Sequence, residues 1–264
     1  MTMAMNEIVK NSVTKALSLH AVARYRAARI IGAHASLGTI ADFHASDKGM
    51  IHGYGKWPFP GHGYTEIYER VFRPLRAQPI RLLEVGIGIE GPNAVGTTVF
   101  GRNRGGASLK VWYDFFPNAR IYGIDLNPAR FLDNDRVSTL VGNQSSRESL
   151  LASIRTIGEK VDIIIDDGSH VSRHQQLTLA VLFPRLLKKG GIYIVEDLNW
   201  QPPWLEGAND VKTIDLLNRY RETGKMQSAY MSPEDVAYIE SNLASAEVVF
   251  SKLDNASIGI LRHS

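Results

Sequence analysis

The sequence predicts an α/β protein with a Rossmann-like, mostly parallel seven-stranded sheet, a C-terminal antiparallel hairpin and a helical, loop-rich N-terminal extension. The first observation is a series of short apolar runs between Ile80 and Leu198, each ending in glycine or an acid. The second is the helical spacing of apolar residues between those runs, which is typical of alternating strands and helices. The third is a final pair of runs around Asp254-Asn255, which predicts the hairpin.

Five short runs are predicted strands of the parallel part of the sheet. They are RLLEVGIG (81–88), RIYGIDL (120–126), RVSTLVG (136–142), VDIIIDDG (161–168) and GIYIVEDL (191–198). The predicted helices between them are Ala107–Phe116, Ser146–Ile157 and Ser172–Lys188. The hairpin is AEVVFSKLDNASIGILRH (246–263).

The residues before Ile80 are less regular, so we divide the chain into an extension over 1–78 and an α/β domain over 79–264. Glu7–Ala33 has room for one or two amphipathic helices. The segment ADFHASDKGMIHGYGKWPFPGHGY (41–64) is rich in glycine and aromatic residues. It is either a lid that closes over a ligand or a loop packed on the sheet edge.

Composition excludes several classes of protein. The chain has 264 residues, 44% of them hydrophobic, which is enough for one sizeable core. Lys and Arg number 30 against 27 Asp and Glu, and this formal net charge of +3 without a basic block does not predict nucleic-acid binding. Cysteine is absent, which excludes disulfides and thiolate metal sites. Without a signal-peptide or membrane-spanning run, we expect a cytoplasmic protein with no membrane partner.

A glycine-rich turn follows the first predicted strand, at Glu84, Gly86 and Gly88. Glycines at this place let the backbone approach a nucleotide closely, and a helix N-terminus adds free N–H groups. The full dinucleotide spacing is not met, and the inserted loop 89–104 separates the turn from the next helix. A tight turn without a ligand is the alternative interpretation.

The next two strand ends favour a nucleoside site. Asp125 ends the second strand, where an acid can accept hydrogen bonds from both ribose hydroxyls. Asn143 or Gln144 follows the third strand and could meet an adenine edge. NAD and S-adenosylmethionine both fit. Glu84 favours S-adenosylmethionine, because an acid before the glycines suits an amino group better than a pyrophosphate, and the terminal hairpin favours it as well.

Two predicted strands each end in adjacent acids, Asp166-Asp167 and Glu196-Asp197. Because ligands of open parallel sheets bind beyond the carboxyl ends of the strands, these acids should meet at one edge. They repel one another unless a cation or several donors neutralise them. Oxygen ligands without cysteine select Mg²⁺ first, with Mn²⁺ or Ca²⁺ as alternatives. We assign Asp167, Glu196 and Asp197 to the metal, and Asp166 to the cofactor side or the strand-end backbone.

His170 lies three residues beyond Asp167, where the next helix should begin. Metal coordination lowers the pKa of an alcohol, and a histidine base can then take its proton. The alternative is structural: Asp166 caps the helix, and His170 and His174 form a solvated face. NWQPPWLEGA (199–208) follows the second acidic pair, and its tryptophans form either a substrate wall or ordinary packing.

These residues resemble those of bacterial macrolide-sugar O-methyltransferases of the mycinamicin and demethylmacrocin type. The motifs are LEVGIG, GGASLKVWYDFFPNARIYGIDLNP, VDIIIDDGSH, LFPRLLKKGGIYIVEDL, SDK (46–48) and HGYTEIYE (62–69). The cephalosporin hydroxylase protein is a looser relative. DDGSH with VEDL in the following strand is the specific part of the resemblance, whereas the glycine-rich turn occurs widely.

The resemblance implies a class I methyltransferase fold and Mg²⁺- and S-adenosylmethionine-dependent methylation of a sugar hydroxyl on an antibiotic or similar natural product. In this family the second acid of DDGSH and the two acids of VED hold the metal, and the histidine is the proposed base. The matching positions here are Asp167, Glu196, Asp197 and His170.

Lys48 of SDK and Tyr64 of HGYTEIYE resemble positions that close over the cofactor or the substrate. The family enzymes are oligomers, so we expect a homo-oligomer, a dimer or tetramer, with a glycosylated small molecule as acceptor. The segment between Gly88 and Gly105 is longer than in the family, and a large N-terminal auxiliary domain is not expected. The alternative functions are the same chemistry on a phenolic or polyketide hydroxyl, and a nucleotide-dependent oxidoreductase or hydroxylase component.

Overall fold

The computed structural model describes residues 19, 20, 23, 25–27, 35–52, 59–91, 105–253 and 255–264. From Leu37 onward the α-helices are α1 (Leu37–His44), α2 (Thr65–Phe72), α3 (Ala107–Phe115), α4 (Arg147–Ile157), α5 (Ser172–Arg185), α6 (Thr213–Thr223) and α7 (Pro233–Asn242). The strands are β1 (Ile51–His52), β2 (Phe59–Pro60), β3 (Arg81–Val85), β4 (Arg120–Asp125), β5 (Val137–Val141), β6 (Val161–Asp166), β7 (Leu187–Val195), β8 (Leu243–Phe250) and β9 (Ser257–His263). Most of Glu7–Ala33, residues 53–58 and residues 92–104 lie outside the described residues, so the predictions made there stay predictions.

The chain divides into two compact units. The first comprises Met1–Gln78, Thr97–Asn118 and Ser251–Asn255. The second comprises Pro79–Gly96, Ala119–Phe250 and Ala256–Ser264, and it contains the large sheet.

The large sheet has seven strands in the order β5-β4-β3-β6-β7-β9-β8. The first five strands in this order are parallel, whereas β9 pairs antiparallel with both β7 and β8. The predicted α/β fold with a C-terminal antiparallel hairpin is therefore confirmed. From β3 the chain adds β4 and β5 on one side, and then β6 and β7 on the other, so the site discussed below lies at a topological switch point between β3 and β6.

The central strands have continuous apolar stretches because both faces of the sheet are covered. Ile163, Ile164 and Ile165 of β6 are all fully buried, as expected for a strand covered on both faces. On one face, Ile164 packs in a single core cluster with residues of α4, α5, α6 and α7, among them Leu150, Leu182, Leu217 and Ile239. This core holds the strand ends in fixed positions.

One helix boundary differs from the prediction. The spacing of apolar residues predicts a helix that continues to Lys188, but α5 ends at Arg185 and β7 begins at Leu187. Leu187 pairs with Val161 of β6, and the register then shifts within β7. Pairing with the neighbouring strand outweighs the local helical preference of these residues.

The first unit has an aromatic core of its own. The ring centroid of Trp112 lies 5.3 Å from that of Tyr68 and 5.8 Å from that of Phe72, both in edge-to-face contacts. Asp114 of α3 accepts a hydrogen bond from Tyr25 and lies 2.7 Å from Nε2 of His44, at the end of α1. Every helix in the described part of the chain is too short or too polar to span a bilayer.

Candidate active site

The carboxyl ends of β3, β6 and β7 lie side by side in the second unit. Val85 pairs with Asp166, and Asp166 pairs with Val195, so the residue after each strand reaches the same edge. The ladder continues into the loops, since the Asp167 N–H donates to the Val85 carbonyl and the Glu196 N–H to the Asp166 carbonyl, both at 2.9 Å. Parallel pairing thus brings the acids that follow these strands together.

The acids form two overlapping groups that share Asp167. One group contains Asp167, His170 and Asp197, and the other contains Glu84, Asp167 and Glu196. Within each group, one ligand atom per residue lies within 4.8 Å of the others. The three residues predicted to hold the metal are therefore near one another, and the structure adds His170 and Glu84 to their surroundings.

These groups have the chemistry of a site for a hard divalent cation. Two ligands on opposite sides of Mg²⁺ lie about 4.2 Å apart, and around Ca²⁺ about 5 Å, which matches the observed spacing. Glu84 is fully buried and Glu196 is 2% exposed. Carboxylates buried together are unfavourable unless a cation, protons or several donors compensate their charge. The residues present fit a bound Mg²⁺.

A left-handed residue occurs in each acidic loop. His170 has a φ of 57° and Asp197 a φ of 52°. This conformation is uncommon for residues other than glycine, and histidine and aspartate tolerate it better than most. Nε2 of His170 lies 3.6 Å from a carboxylate oxygen of Asp197, so the two turns face each other.

Asp166 has a different environment from Asp167. Its carboxyl group is fully buried and accepts a hydrogen bond from Nε2 of Gln144. The pKa of Asp166 is raised to about 8, mainly by burial and in smaller part by the charge of nearby Glu196, whereas hydrogen bonds from Gly168 and Gln144 act to lower it. The structure thus places Asp166 inside the protein, outside both metal-ligand groups.

The glycine-rich turn lies directly against the first acidic loop. Gly86 has a φ of 82°, and a Cβ atom there would overlap the carbonyl oxygen of Asp167. Gly88 also has a positive φ of 63°. Only glycine fits position 86 on both grounds. The turn predicted to hold the cofactor and the loop predicted to hold the metal are therefore in backbone contact.

Asp125 closes this turn from the neighbouring strand. One of its carboxylate oxygens accepts hydrogen bonds from the N–H groups of Ile87, at 3.1 Å, and Ile89, at 3.2 Å. The other oxygen accepts from the Asn127 N–H at 3.0 Å. The role predicted for Asp125 with a ribose stays a prediction. The structure gives it a further role in shaping the turn.

Asn143 and Gln144, predicted to meet an adenine edge, make local contacts. Oδ1 of Asn143 accepts from the Ser145 N–H at 2.8 Å and stabilises the turn before α4. Oε1 of Gln144 accepts from the Ser169 N–H at 2.9 Å, while its amide nitrogen donates to Asp166. Gln144 therefore fixes the loop after β6, a role that its sequence position does not indicate.

Lys48 and Tyr64 lie in the first unit. Both side chains are buried, with exposed fractions of 1% and 0%. The Thr65 N–H donates to the Lys48 carbonyl at 3.1 Å, so the two predicted motifs are in contact within this unit. Their predicted roles over the cofactor or substrate stay predictions.

Two further residues lie near the acids, one that the sequence analysis considered as a substrate wall and one that it did not consider. Trp200 is 48% exposed, and its ring centroid lies 5.7 Å from that of His170 in an edge-to-face contact. Gln175 of α5 is fully buried and donates from Nε2 to the Glu196 carbonyl oxygen at 3.0 Å. The position of Trp200 just after VED is a sequence signal. Gln175 gives none, because a glutamine in an amphipathic helix normally indicates the solvent face.

The fold is that of the α/β methyltransferases. The structure of the MycE methyltransferase from the mycinamycin biosynthetic pathway, in complex with Mg, SAH and mycinamycin VI, matches with a TM-score of 0.65 and 26% sequence identity. That match covers 87% of this chain and 55% of that one. A comparison with protein-family models finds no match.

The resemblance to sugar O-methyltransferases is confirmed by curated relatives. The 8-demethyl-8-(2-methoxy-alpha-L-rhamnosyl)-tetracenomycin-C 3'-O-methyltransferase of Streptomyces olivaceus is 43% identical over 166 residues, which are 61% of this chain and 36% of that protein. The mycinamicin VI 2''-O-methyltransferase of Micromonospora griseorubida is 38% identical over 144 residues, 54% of this chain and 33% of that protein. The chain thus matches about a third of the length of these two relatives.

Proposed function

We propose that this chain carries the active site of an S-adenosylmethionine- and Mg²⁺-dependent O-methyltransferase that methylates a sugar hydroxyl of a glycosylated natural product. The observation that carries the proposal is the pair of ligand groups sharing Asp167, next to a glycine-rich turn at the carboxyl ends of parallel strands. The activities of the relatives, which act on sugars of macrolides and of tetracenomycin, support the acceptor class.

Asp167, Glu196 and Asp197 would hold the cation, while the turn at Gly86 and Gly88, with Asp125, would hold the nucleoside. S-adenosylmethionine supplies an electrophilic methyl group on a sulfonium, and Mg²⁺ supplies positive charge that favours ionisation of a hydroxyl. Glu84 lies between these two regions, and its carboxylate suits either the amino group of the cofactor or the cation.

In this proposal His170 is the general base. Its imidazole would take the proton of the acceptor hydroxyl as the new C–O bond forms and the C–S bond breaks, which leaves a neutral thioether. The Asp197 carboxylate, 3.6 Å from Nε2, stabilises the imidazolium that results. Trp200 offers an apolar ring face beside the base, where the acceptor would lie. A homo-oligomeric assembly remains a prediction.

The test is methyl transfer by the purified chain, with a panel of glycosylated polyketides and, as matched controls, their aglycones. Mass spectrometry should detect one added methyl group on the glycosylated compounds only. We expect EDTA to lower the rate at least about a hundredfold and Mg²⁺ to restore it. An unchanged rate in EDTA contradicts the metal role, and methylation of the aglycones contradicts the sugar hydroxyl as acceptor.

A further inference from the structure

Two adjacent carboxylates cannot both face one cation from a regular strand. Successive side chains of a strand point to opposite faces of the sheet, yet Glu196 and Asp197 each lie in a ligand group with Asp167. The chain leaves the extended conformation directly after β7, where Asp197 has a φ of 52°. A left-handed residue other than glycine persists only where its surroundings hold it. A contact from outside the strand must therefore fix the Glu196–Asp197 peptide.

Gln175 makes such a contact. Its Nε2 donates to the Glu196 carbonyl oxygen at 3.0 Å. That carbonyl and the Asp197 N–H belong to one planar peptide group, so the hydrogen bond that orients the carbonyl also restrains φ of Asp197. Gln175 lies in the first turn of α5, which begins two residues after His170. The hydrogen bond therefore links the helix that follows one acidic loop to the peptide of the other.

Packing does not explain a glutamine at this position. Gln175 is fully buried, and glutamine is rarely so. Among the described residues, its Oε1 atom has no hydrogen-bond partner. A buried acceptor without a partner is unfavourable for stability, so an apolar side chain of similar size would suit the core better. The amide donor is the feature that an apolar residue would lack.

We propose that Gln175 is a positioning residue of the candidate metal centre. Its amide holds the Glu196–Asp197 peptide so that both carboxylates turn towards Asp167. This inference rests on the proposed function, because it concerns the residues that would bind the cation. Gln175 is not itself a ligand; it acts through the backbone of two ligands, as outer-shell hydrogen bonds do in metal sites.

The adjacent residue offers a matched control. Gln176 is equally buried, lies on the same helix and donates from Nε2 to a backbone carbonyl, that of Val211, at 2.6 Å. We compare Gln175→Met and Gln176→Met by titration with Mn²⁺ followed by electron paramagnetic resonance, without cofactor or acceptor. Gln175→Met should weaken Mn²⁺ binding about tenfold or more, the range seen for outer-shell partners. The Mn²⁺ affinity of Gln176→Met should remain within about twofold of that of the unsubstituted chain.

Two further measurements separate positioning from general damage. Circular dichroism establishes whether each variant is folded. If Gln175→Met does not fold, Gln175→Leu is used in its place. The affinity for S-adenosylhomocysteine, measured by calorimetry, should change less than about threefold. A positioning role predicts this separation between metal and nucleoside binding, whereas a loosened core would weaken both.

Each outcome decides between the two proposals. If the unsubstituted chain binds Mn²⁺ and the Gln175 variants bind it equally well, or if Gln176→Met weakens binding as much, the positioning role is overturned and the proposed function stands. If the unsubstituted chain does not bind Mn²⁺ at millimolar concentration, the metal centre is overturned and the positioning role with it.

Discussion

The loops after β6 and β7 begin alike but place their acids differently. Two adjacent carboxylates stand at each strand end, and each loop contains one left-handed residue other than glycine. Asp166, the last residue of β6, is buried and bound by Gln144, and only Asp167, the first residue of the loop, joins the ligand groups. In the loop after β7, both Glu196 and Asp197 join them.

The position of the backbone turn accounts for this difference. After β7 the left-handed residue is the second acid itself, Asp197. After β6 it is His170, three residues beyond Asp167, so the two aspartates keep the opposite directions of a strand. A pair of adjacent acids at a strand end is therefore not evidence that both bind a metal. The conformation of the second acid decides.

The largest expected effect is the difference in rate between variants of Asp167 and of Asp166. Asp167→Asn should remove the carboxylate common to both ligand groups and lower the rate of methyl transfer about a thousandfold, several kcal/mol at 1.36 kcal/mol per tenfold. Asp166→Asn keeps an acceptor for Gln144, and its rate of methyl transfer should stay within about threefold of that of the unsubstituted chain. Initial rates at saturating Mg²⁺ measure both. Equal losses in the two variants would contradict the contrast between the aspartates.

A smaller effect is expected at the left-handed residue of the loop after β6. In His170→Asn, the asparagine tolerates the left-handed backbone conformation but cannot take a proton. We therefore expect kcat to fall about a hundredfold or more. Mn²⁺ binding should remain within about threefold. Stopped-time assays and electron paramagnetic resonance measure the two quantities. Loss of Mn²⁺ binding in this variant would show that His170 is a ligand and not the base.

The smallest expected effect concerns the tryptophan of the loop after β7. Trp200→Ala should raise the KM for the glycosylated acceptor about tenfold, or about 1.4 kcal/mol of binding, with little change in kcat. Trp204, which is 63% exposed and follows two prolines, serves as the control, and Trp204→Ala should leave KM within about twofold. If Trp204→Ala has the larger effect, the acceptor does not lie beside His170.

Much of the fold follows from the sequence because strand signals are local. β6 contains the apolar run Ile163, Ile164 and Ile165, which ends at an acid, and such runs are typical of parallel sheets. The hairpin of β8 and β9 is marked by its turn residues and lies where it was predicted. The boundary at Arg185–Leu187 was misplaced, since pairing with Val161 of β6 is a contact between distant residues.

The site was predictable only in part. Parallel strands bring their carboxyl ends together, so the meeting of Asp167, Glu196 and Asp197 follows from the strand assignment alone. The contacts of Gln144 and Gln175 do not follow, because an interior glutamine and a surface glutamine look alike in a sequence. The sequence does not reveal the left-handed conformation of Asp197 either, because that position is not a glycine.

The overlap that a side chain at residue 86 would create with the Asp167 carbonyl has a practical consequence for engineering. A larger side chain in that turn, introduced to accept altered sulfonium analogues, would push directly on the peptide of Asp167, a proposed cation ligand. Donor preference and ion affinity are therefore expected to shift together in any library randomised at this position.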